Sequence, residues 1–244
     1  AALYGLAAEE IPLRADFSMD VDAFCASRGM RVLANPNAPT GMALPLSEIE
    51  RILSSDPDRV VLVDEAYVDF GAQTALPLLA KYENLLVVRT YSKSRSMAGA
   101  RLGFALGSEA LIRDLETIRF STNPYNLNRL TLLLGEAAVA DDAYYMENCK
   151  KIAATRERAA ARLKELGFTL TPSQANFLFA SHPAVSGETL YSALKAQGVL
   201  VRHFKKPRIS EDVRITIGTP EQMEVLFAAI EDILKGDAAC APQR

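Results

Sequence analysis

The chain has 244 residues, 49% of them hydrophobic and 23% charged, and its net charge is −3. That apolar content is ample for a packed core, which argues against intrinsic disorder, and the mildly acidic balance without a recurrent basic stripe argues against nucleic acid as a partner. No apolar run reaches the roughly 18 residues of a membrane span, and at roughly 150 residues per domain the length allows one large domain or two smaller ones.

In chain order, residues 1–13, AALYGLAAEEIPL, have neither the basic start nor the clean apolar run of a signal peptide. RVLANP (31–36) reads as a buried strand. LSEIERILSS (46–55) follows with Leu46, Ile49, Ile52 and Leu53 at helical spacing, and Ser47 with Glu50 has the capping-box pattern. VVLVDEAY (60–67) is a second strand, PLLAKYEN (77–84) a short helix, LLVVRTYS (85–92) a third strand and RLGFALG (101–107) a fourth. SEALIRDLETIR (108–119) is again helical. Near-continuous apolar strands separated by helices predict a mostly parallel sheet covered on both faces.

Residues 126–166 read as two long helices broken near Asp141 and Asp142, the second ending at Gly167. FTLTPSQANFLFA (168–180), a helix over 187–198, strands over 199–204 and 212–218, and a last helix from Pro220 make an α+β second half. The tail 236–244 is expected to fray. Cys25, Cys149 and Cys240 show no CxxC spacing, and His182 and His203 are too few for a three-histidine site. No disulfide framework or metal site is implied, and a reducing cytoplasm fits best. Lys205, Lys206 and Arg208 form the densest basic run, too short to mark a binding surface.

Four features are expected at or just after the C-terminal ends of parallel strands, the edge where open α/β sheets bind ligands. The first is the rigid turn Asn35-Pro36-Asn37-Ala38-Pro39-Thr40-Gly41, which can aim the Asn37 amide into a site. The second is Asp64-Glu65-Ala66-Tyr67; a carboxylate at the end of a buried strand needs a partner, so a cation should face Asp64. In the third, 90–101, Lys93 follows an apolar strand among small residues, where desolvation makes its amine a usable nucleophile. Ser92, Ser94 and Ser96 with Arg101 suit a phosphate. The fourth is Arg202 with Arg214: an arginine inside each of two β-branched strands is costly unless it meets an anion. An amine, an acid, a phosphate cradle and a separate anion site are what a pyridoxal phosphate enzyme needs.

These stretches, NPNAPTG (35–41), VDEAYVDF (63–70), RTYSKSRSMAGARLGFALG (89–107) and VLVRHF…VRITIGT (199–219), resemble the class I/II aminotransferases of fold type I, most closely the histidinol-phosphate aminotransferases. The likeness covers almost the whole chain. It implies Lys93 as the cofactor-bearing lysine and proton-transfer base, Asp64 as partner of the pyridine nitrogen, and Tyr67 and Asn37 as donors to the ring 3-oxygen. It implies Ser92 and Arg101 as phosphate ligands, and Arg214 and Arg202 as substrate-anion contacts, with Tyr125 and Asn126 as weaker candidates near the cofactor. Many relatives have Asn-Asn where this chain has Asn37-Ala38. The resemblance further implies pyridoxal 5′-phosphate, transfer of an amino group between L-histidinol phosphate and 2-oxoglutarate, and a cytoplasmic homodimer. An aromatic amino acid aminotransferase, a threonine-phosphate decarboxylase of the same fold, or a non-catalytic truncated relative are the alternatives. The family carries a long stretch before the position matching Ala1. Residues 1–130 are therefore expected to form a large cofactor domain lacking its front, and 131–244 a small domain.

Overall fold

Two four-stranded sheets carry the chain, and residues 1–240 are described in the computed structural model. Strands β1 (Arg31–Ala34), β2 (Val61–Asp64), β3 (Leu85–Thr90) and β4 (Gly103–Gly107) form the first sheet in that order. The first three run parallel, as their apolar character predicts, but β4 is antiparallel to β3. The connection over 91–102 holds only the one-turn 3-10 helix Ala98–Ala100, too little to carry the chain back for a parallel crossover. Because β4 is reversed, its first residue lies at the same sheet edge as the last residue of β3, with Thr90 opposite Gly103.

One face of this sheet is covered by α1 (Val21–Ala26) and α2 (Leu46–Ser55). Ile49, Ile52 and Leu53 lie one helical turn apart and are fully buried against Val61, Val63, Leu85 and Val87. The expected capping box does not form. The cap is Pro45, two residues before Ser47, and Glu50 turns instead to Lys81 and to the Tyr82 hydroxyl, 3.0 Å away. The expected cover on both faces is also incomplete: strand alternation turns Val32 to the other side, where it is 59% exposed. In place of a helix over 77–84 there is a 3-10 helix at Leu76–Ala80; the chain then straightens so that Asn84 can donate to the carbonyls of Leu53, Asp56 and Arg59.

Three helices lead to the second half: α3 (Glu109–Thr122), α4 (Arg129–Ala140) and α5 (Asp142–Glu165). Ser108 and Asn128 cap the first two by accepting the Leu111 and Thr131 N–H groups. The break falls at Asp141, as the sequence predicts. Gly167 ends α5 at φ 92°, a left-handed conformation that only glycine adopts freely. The second sheet, β5 (Thr169–Leu170), β6 (Phe177–Ser181), β7 (Arg202–His203) and β8 (Asp212–Thr216), is antiparallel and ordered β5–β6–β8–β7. The segment 168–180 carries two strands, and only two residues of the expected strand 199–204 pair. Helix α6 (Gly187–Ala196), helix α7 (Pro220–Cys240) and α5 bury Leu163, Leu178, Leu190, Leu194, Ile215 and Ile230 on one face. Helix α7 continues through part of the tail expected to fray, and 241–244 lie outside the described residues. Among the described residues no helix is long and apolar enough to cross a membrane.

The two halves are tied by hydrogen bonds to backbone carbonyls. Arg156 of α5 is buried, and its Nη1 donates to the carbonyls of Phe70 and Ala175, each at 2.8 Å. Gln174 N donates to the Gly41 carbonyl at 2.8 Å, and the Thr171 hydroxyl donates to the Thr40 carbonyl. Arg208 donates to the carbonyls of Leu13 and Arg14, both at 2.7 Å. Replacing Arg156 by alanine strands two carbonyls in a dry junction, so Arg156→Ala is expected to cost about 2–4 kcal/mol. Denaturant unfolding measures this; a change below about 0.5 kcal/mol would show that the junction is not held there.

Candidate active site

Residues from both sheets meet at the edge where β1, β2 and β3 end. Asn35 follows β1 and is buried; its side-chain carbonyl oxygen accepts Leu44 N–H at 2.7 Å, which folds the 35–44 turn back on itself. That leaves the half-buried Asn37, whose amide donates to Thr40 Oγ1 at 2.9 Å, as the amide facing the edge. Both X-Pro bonds in the turn, Asn35–Pro36 and Ala38–Pro39, are cis. Ala38 is exposed, so the departure from Asn-Asn removes no buried amide. Gly41 closes the turn at φ 74°, and a Cβ there would lie 2.2 Å from Ser173 Oγ of the other half.

After β2 the chain splits two acids between two environments. Asp64 is half-buried and accepts the Ala66 N–H at 3.0 Å. The expected cation is not there: among the described residues no Lys, Arg or His pairs with Asp64. Glu65 points the other way and its side chain is fully buried. It accepts Arg89 Nε at 3.0 Å and Nη2 at 2.9 Å, together with the Thr74 hydroxyl and the Ala75 N–H. Arg89 also reaches Asp69 Oδ1 at 3.5 Å, and Asp69 Oδ2 accepts the Ser94 hydroxyl at 2.6 Å. Burial pushes the Cys149 thiol of α5 up to about 11, with the Asp69 charge adding to it. The signal for this network was present in the sequence: Arg89 sits inside an apolar strand, the same anomaly that singles out Arg202 and Arg214.

Lys93 lies in the turn beyond β3, with its amine 5.3 Å from the centre of the Tyr67 ring, a cation–π contact. The expected desolvation is not found. Lys93 is exposed, since its turn projects past the strand ends with Tyr67 beside it. Nor do the three serines form one cluster: Ser94 is spent on Asp69, Ser96 is exposed at φ 56°, and half-buried Ser92 keeps its hydroxyl free of protein partners among the described residues. Arg101 adopts the left-handed conformation, φ 55°, its guanidinium donating to the Ala98 carbonyl at 3.0 Å. Ser92 and Arg101 flank the single backbone bond from Tyr91 N to Leu102 O, which closes this loop at 3.1 Å.

The second sheet contributes an aromatic wall. Phe177 packs edge-on to Tyr67 with ring centres 5.0 Å apart, and Phe179 does the same to Phe17 at 5.6 Å. The Arg214 guanidinium lies 5.1 Å from the Phe177 ring. Arg202 and Arg214 stand directly opposite each other across β7 and β8. These strands are antiparallel and belong to the second sheet, so the expectation that all four features share one parallel-strand edge is corrected for this pair. Their proximity comes instead from the Phe177–Tyr67 contact. Like charges facing each other on paired strands repel, and Arg214 Nε is buried without a hydrogen-bond partner; an anion would remedy both. Tyr125 and Asn126 are not drawn into this group: Tyr125 is 90% exposed, and Asn126 lines a separate cavity of about 510 Å³ with Phe104 and Leu132.

Removing one partner of a buried ion pair leaves an uncompensated charge. Glu65→Ala is therefore expected to lower stability by about 3–5 kcal/mol, and the double variant Glu65→Ala/Arg89→Met should recover part of it. Urea unfolding of the three proteins tests this, and equal stability of Glu65→Ala and the parent would refute it.

Residues 1–230 match the family described as aminotransferase class I and II. Histidinol-phosphate aminotransferase 2 of Rhizobium meliloti is 47% identical over 96% of this chain and 67% of its own length. Histidinol-phosphate aminotransferase of Marinomonas sp. is 51% identical over 96% of this chain and 67% of its own length. The crystal structure of histidinol-phosphate aminotransferase from Sinorhizobium meliloti in complex with pyridoxal-5′-phosphate superposes with a TM-score of 0.83 at 24% identity, covering 93% of this chain and 64% of that one, which establishes the fold. The chain thus spans about two thirds of the length of the curated relatives it matches. With the fold, the motifs and the length of the match in agreement, this chain belongs to the class I and II aminotransferase family.

Proposed function

We propose that this chain is the major part of a pyridoxal phosphate-dependent aminotransferase that exchanges an amino group between L-histidinol phosphate and 2-oxoglutarate in histidine biosynthesis. The observation that carries this reading is one contact chain, Lys93–Tyr67–Phe177–Arg214, which joins an amine to a paired-arginine anion site. The names of the relatives at 47% and 51% identity support the substrate.

The residues present fit pyridoxal 5′-phosphate. Asp64, a half-buried carboxylate without a cation among the described residues, suits a protonated pyridine nitrogen. Ser92 and Arg101 suit the phosphate, Tyr67 and Asn37 the ring 3-oxygen, and Lys93 the aldehyde carbon. When bound, the cofactor supplies an electron-withdrawing ring that eases removal of a proton from the substrate carbon. Asp64 keeps a proton at the ring nitrogen. Lys93 Nζ would take the proton from the substrate carbon and hand it to the carbon that carried the cofactor's aldehyde oxygen, as the base of the transfer. Arg214 and Arg202 hold the anionic end of the substrate, where two facing guanidinium groups match the double charge of a phosphate monoester better than a single carboxylate. In this reading residues 1–130 bind the cofactor and 131–244 bring the anion site.

In the intact polypeptide, Lys93→Ala should abolish both turnover and the absorbance band of lysine-bound cofactor; turnover at the parent rate would sink the assignment. Arg202→Ala should raise KM for histidinol phosphate about tenfold or more. Comparing kcat/KM for histidinol phosphate, phenylalanine and threonine phosphate decides the substrate, and a preference for either of the last two would overturn histidinol phosphate.

The reading includes a homodimer working in the cytoplasm. Its support is a group of exposed apolar residues on α3 and α4, with Ile118, Leu130 and Leu134 61%, 72% and 59% exposed. Sedimentation equilibrium of the intact polypeptide should give twice the chain mass; a monomer at micromolar concentration contradicts it.

A further inference from the structure

Ser94 sits next to the proposed cofactor lysine, yet its side chain faces away from the anion-binding positions. It is 8% exposed, and its hydroxyl donates to Asp69 Oδ2 at 2.6 Å. Asp69 is itself held from behind: Arg89 Nη1 reaches its other oxygen at 3.5 Å, and Arg89 is fixed by the fully buried Glu65. Tyr145 and Cys149 of α5 face the same carboxylate, and its charge adds to the burial that pushes both of their pKa values up. Asp69 thus joins Arg89 of β3 to Ser94 of the turn.

The other restraints on this turn act elsewhere. Met97 N donates to the Tyr91 carbonyl at 2.9 Å and closes the base of the loop. Ser96 N donates to the Lys93 carbonyl at 3.1 Å, within the turn itself. Arg95 reaches away, to the Ala138 carbonyl and the Tyr145 ring of the following helices. Ser92 N donates to Thr90 Oγ1 at 3.1 Å, at the end of the strand just before the turn, whereas Ser94 Oγ–Asp69 is, among the described residues, the only hydrogen bond given by a side chain of residues 92–94.

We propose that Asp69 is a positioning residue: acting through Ser94, it fixes the backbone at Lys93 and so sets the direction from which the amine meets the cofactor. This rests on the aminotransferase reading, so its test has one arm that needs no cofactor. In the intact polypeptide, Ser94→Ala should accelerate amide hydrogen exchange at residues 93–96 about tenfold, as expected for loss of one hydrogen bond to a charged group, while exchange in α6 stays unchanged. It should also raise the Kd for pyridoxal phosphate, read by absorbance titration, by a similar factor. Asp69→Ala should do the same, and the double variant should be no worse than the weaker single one. Parent-like exchange at 93–96, or parent-like affinity, in Ser94→Ala overturns the proposal, and additive effects in the double variant overturn action through Ser94. Should Asp69→Ala fail to fold, Ser94→Ala alone still decides. If the parent protein takes up no pyridoxal phosphate, the aminotransferase reading falls, and the exchange rates at 93–96 still show whether Ser94 tethers the turn.

Discussion

A carboxylate removed completely from water must be compensated on the spot, and Glu65 is such a group. Its compensation comes from Arg89 on the neighbouring strand, from the Thr74 hydroxyl and from the Ala75 N–H. The end of β2 and the end of β3 are thereby locked at one height. Asp64 and Lys93, each a few residues from a member of this pair, inherit fixed positions from it. Asp64, turned to the other face from this pair, has no cation among the described residues and stays available to a ligand. Buried ion pairs contribute little net stability as a rule, because desolvation offsets their attraction. Here the return is geometric: the pair makes the sheet edge rigid where the chemistry is proposed.

The second constraint is the sharing of β6 between two surfaces. Leu178 and Ala180 face the helices, while Phe177 and Phe179 face the first sheet. A strand buried on both sides has no solvated face to spare for charge. The charge appears on its neighbours instead, Arg214 on β8 and Arg202 on β7, and Phe177 leads from them to Tyr67. The amine and the anion site thus lie on different sheets yet share one aromatic partition, whose tilted rings place positive edges against electron-rich faces.

Much of this was legible in the residues, because periodicity reports burial directly. Helix α2 spans the residues its apolar spacing predicts, and the break between α4 and α5 falls at Asp141. Direction was less legible. Nothing in the composition of RLGFALG distinguishes a parallel strand from an antiparallel one, and only the lack of a crossover helix before it decides. The expected cap failed because the helix already starts at Leu46, which leaves Ser47 inside its first turn. At the site, the motif order led to Lys93, Asp64 and the two arginines. Two expectations failed for the same reason. The desolvated Lys93 and the cation facing Asp64 were inferred from strand burial, but both residues lie at or past the strand ends, where the sheet no longer encloses them. Ser94 was misjudged because a hydroxyl in a polar run gives no sign of which way it turns.

The close approach at Gly41 has a mechanical consequence. Its carbonyl receives Gln174, its missing side chain admits Ser173 and the adjoining Thr40 carbonyl receives Thr171, so three contacts between the halves crowd into one small region. A body rotating about such a pivot barely moves there and moves most at its far end. Arg202 and Arg214 lie on β7 and β8 of the second sheet, whereas Lys93 follows β3 of the first. A residue with any side chain at position 41 would wedge that joint open.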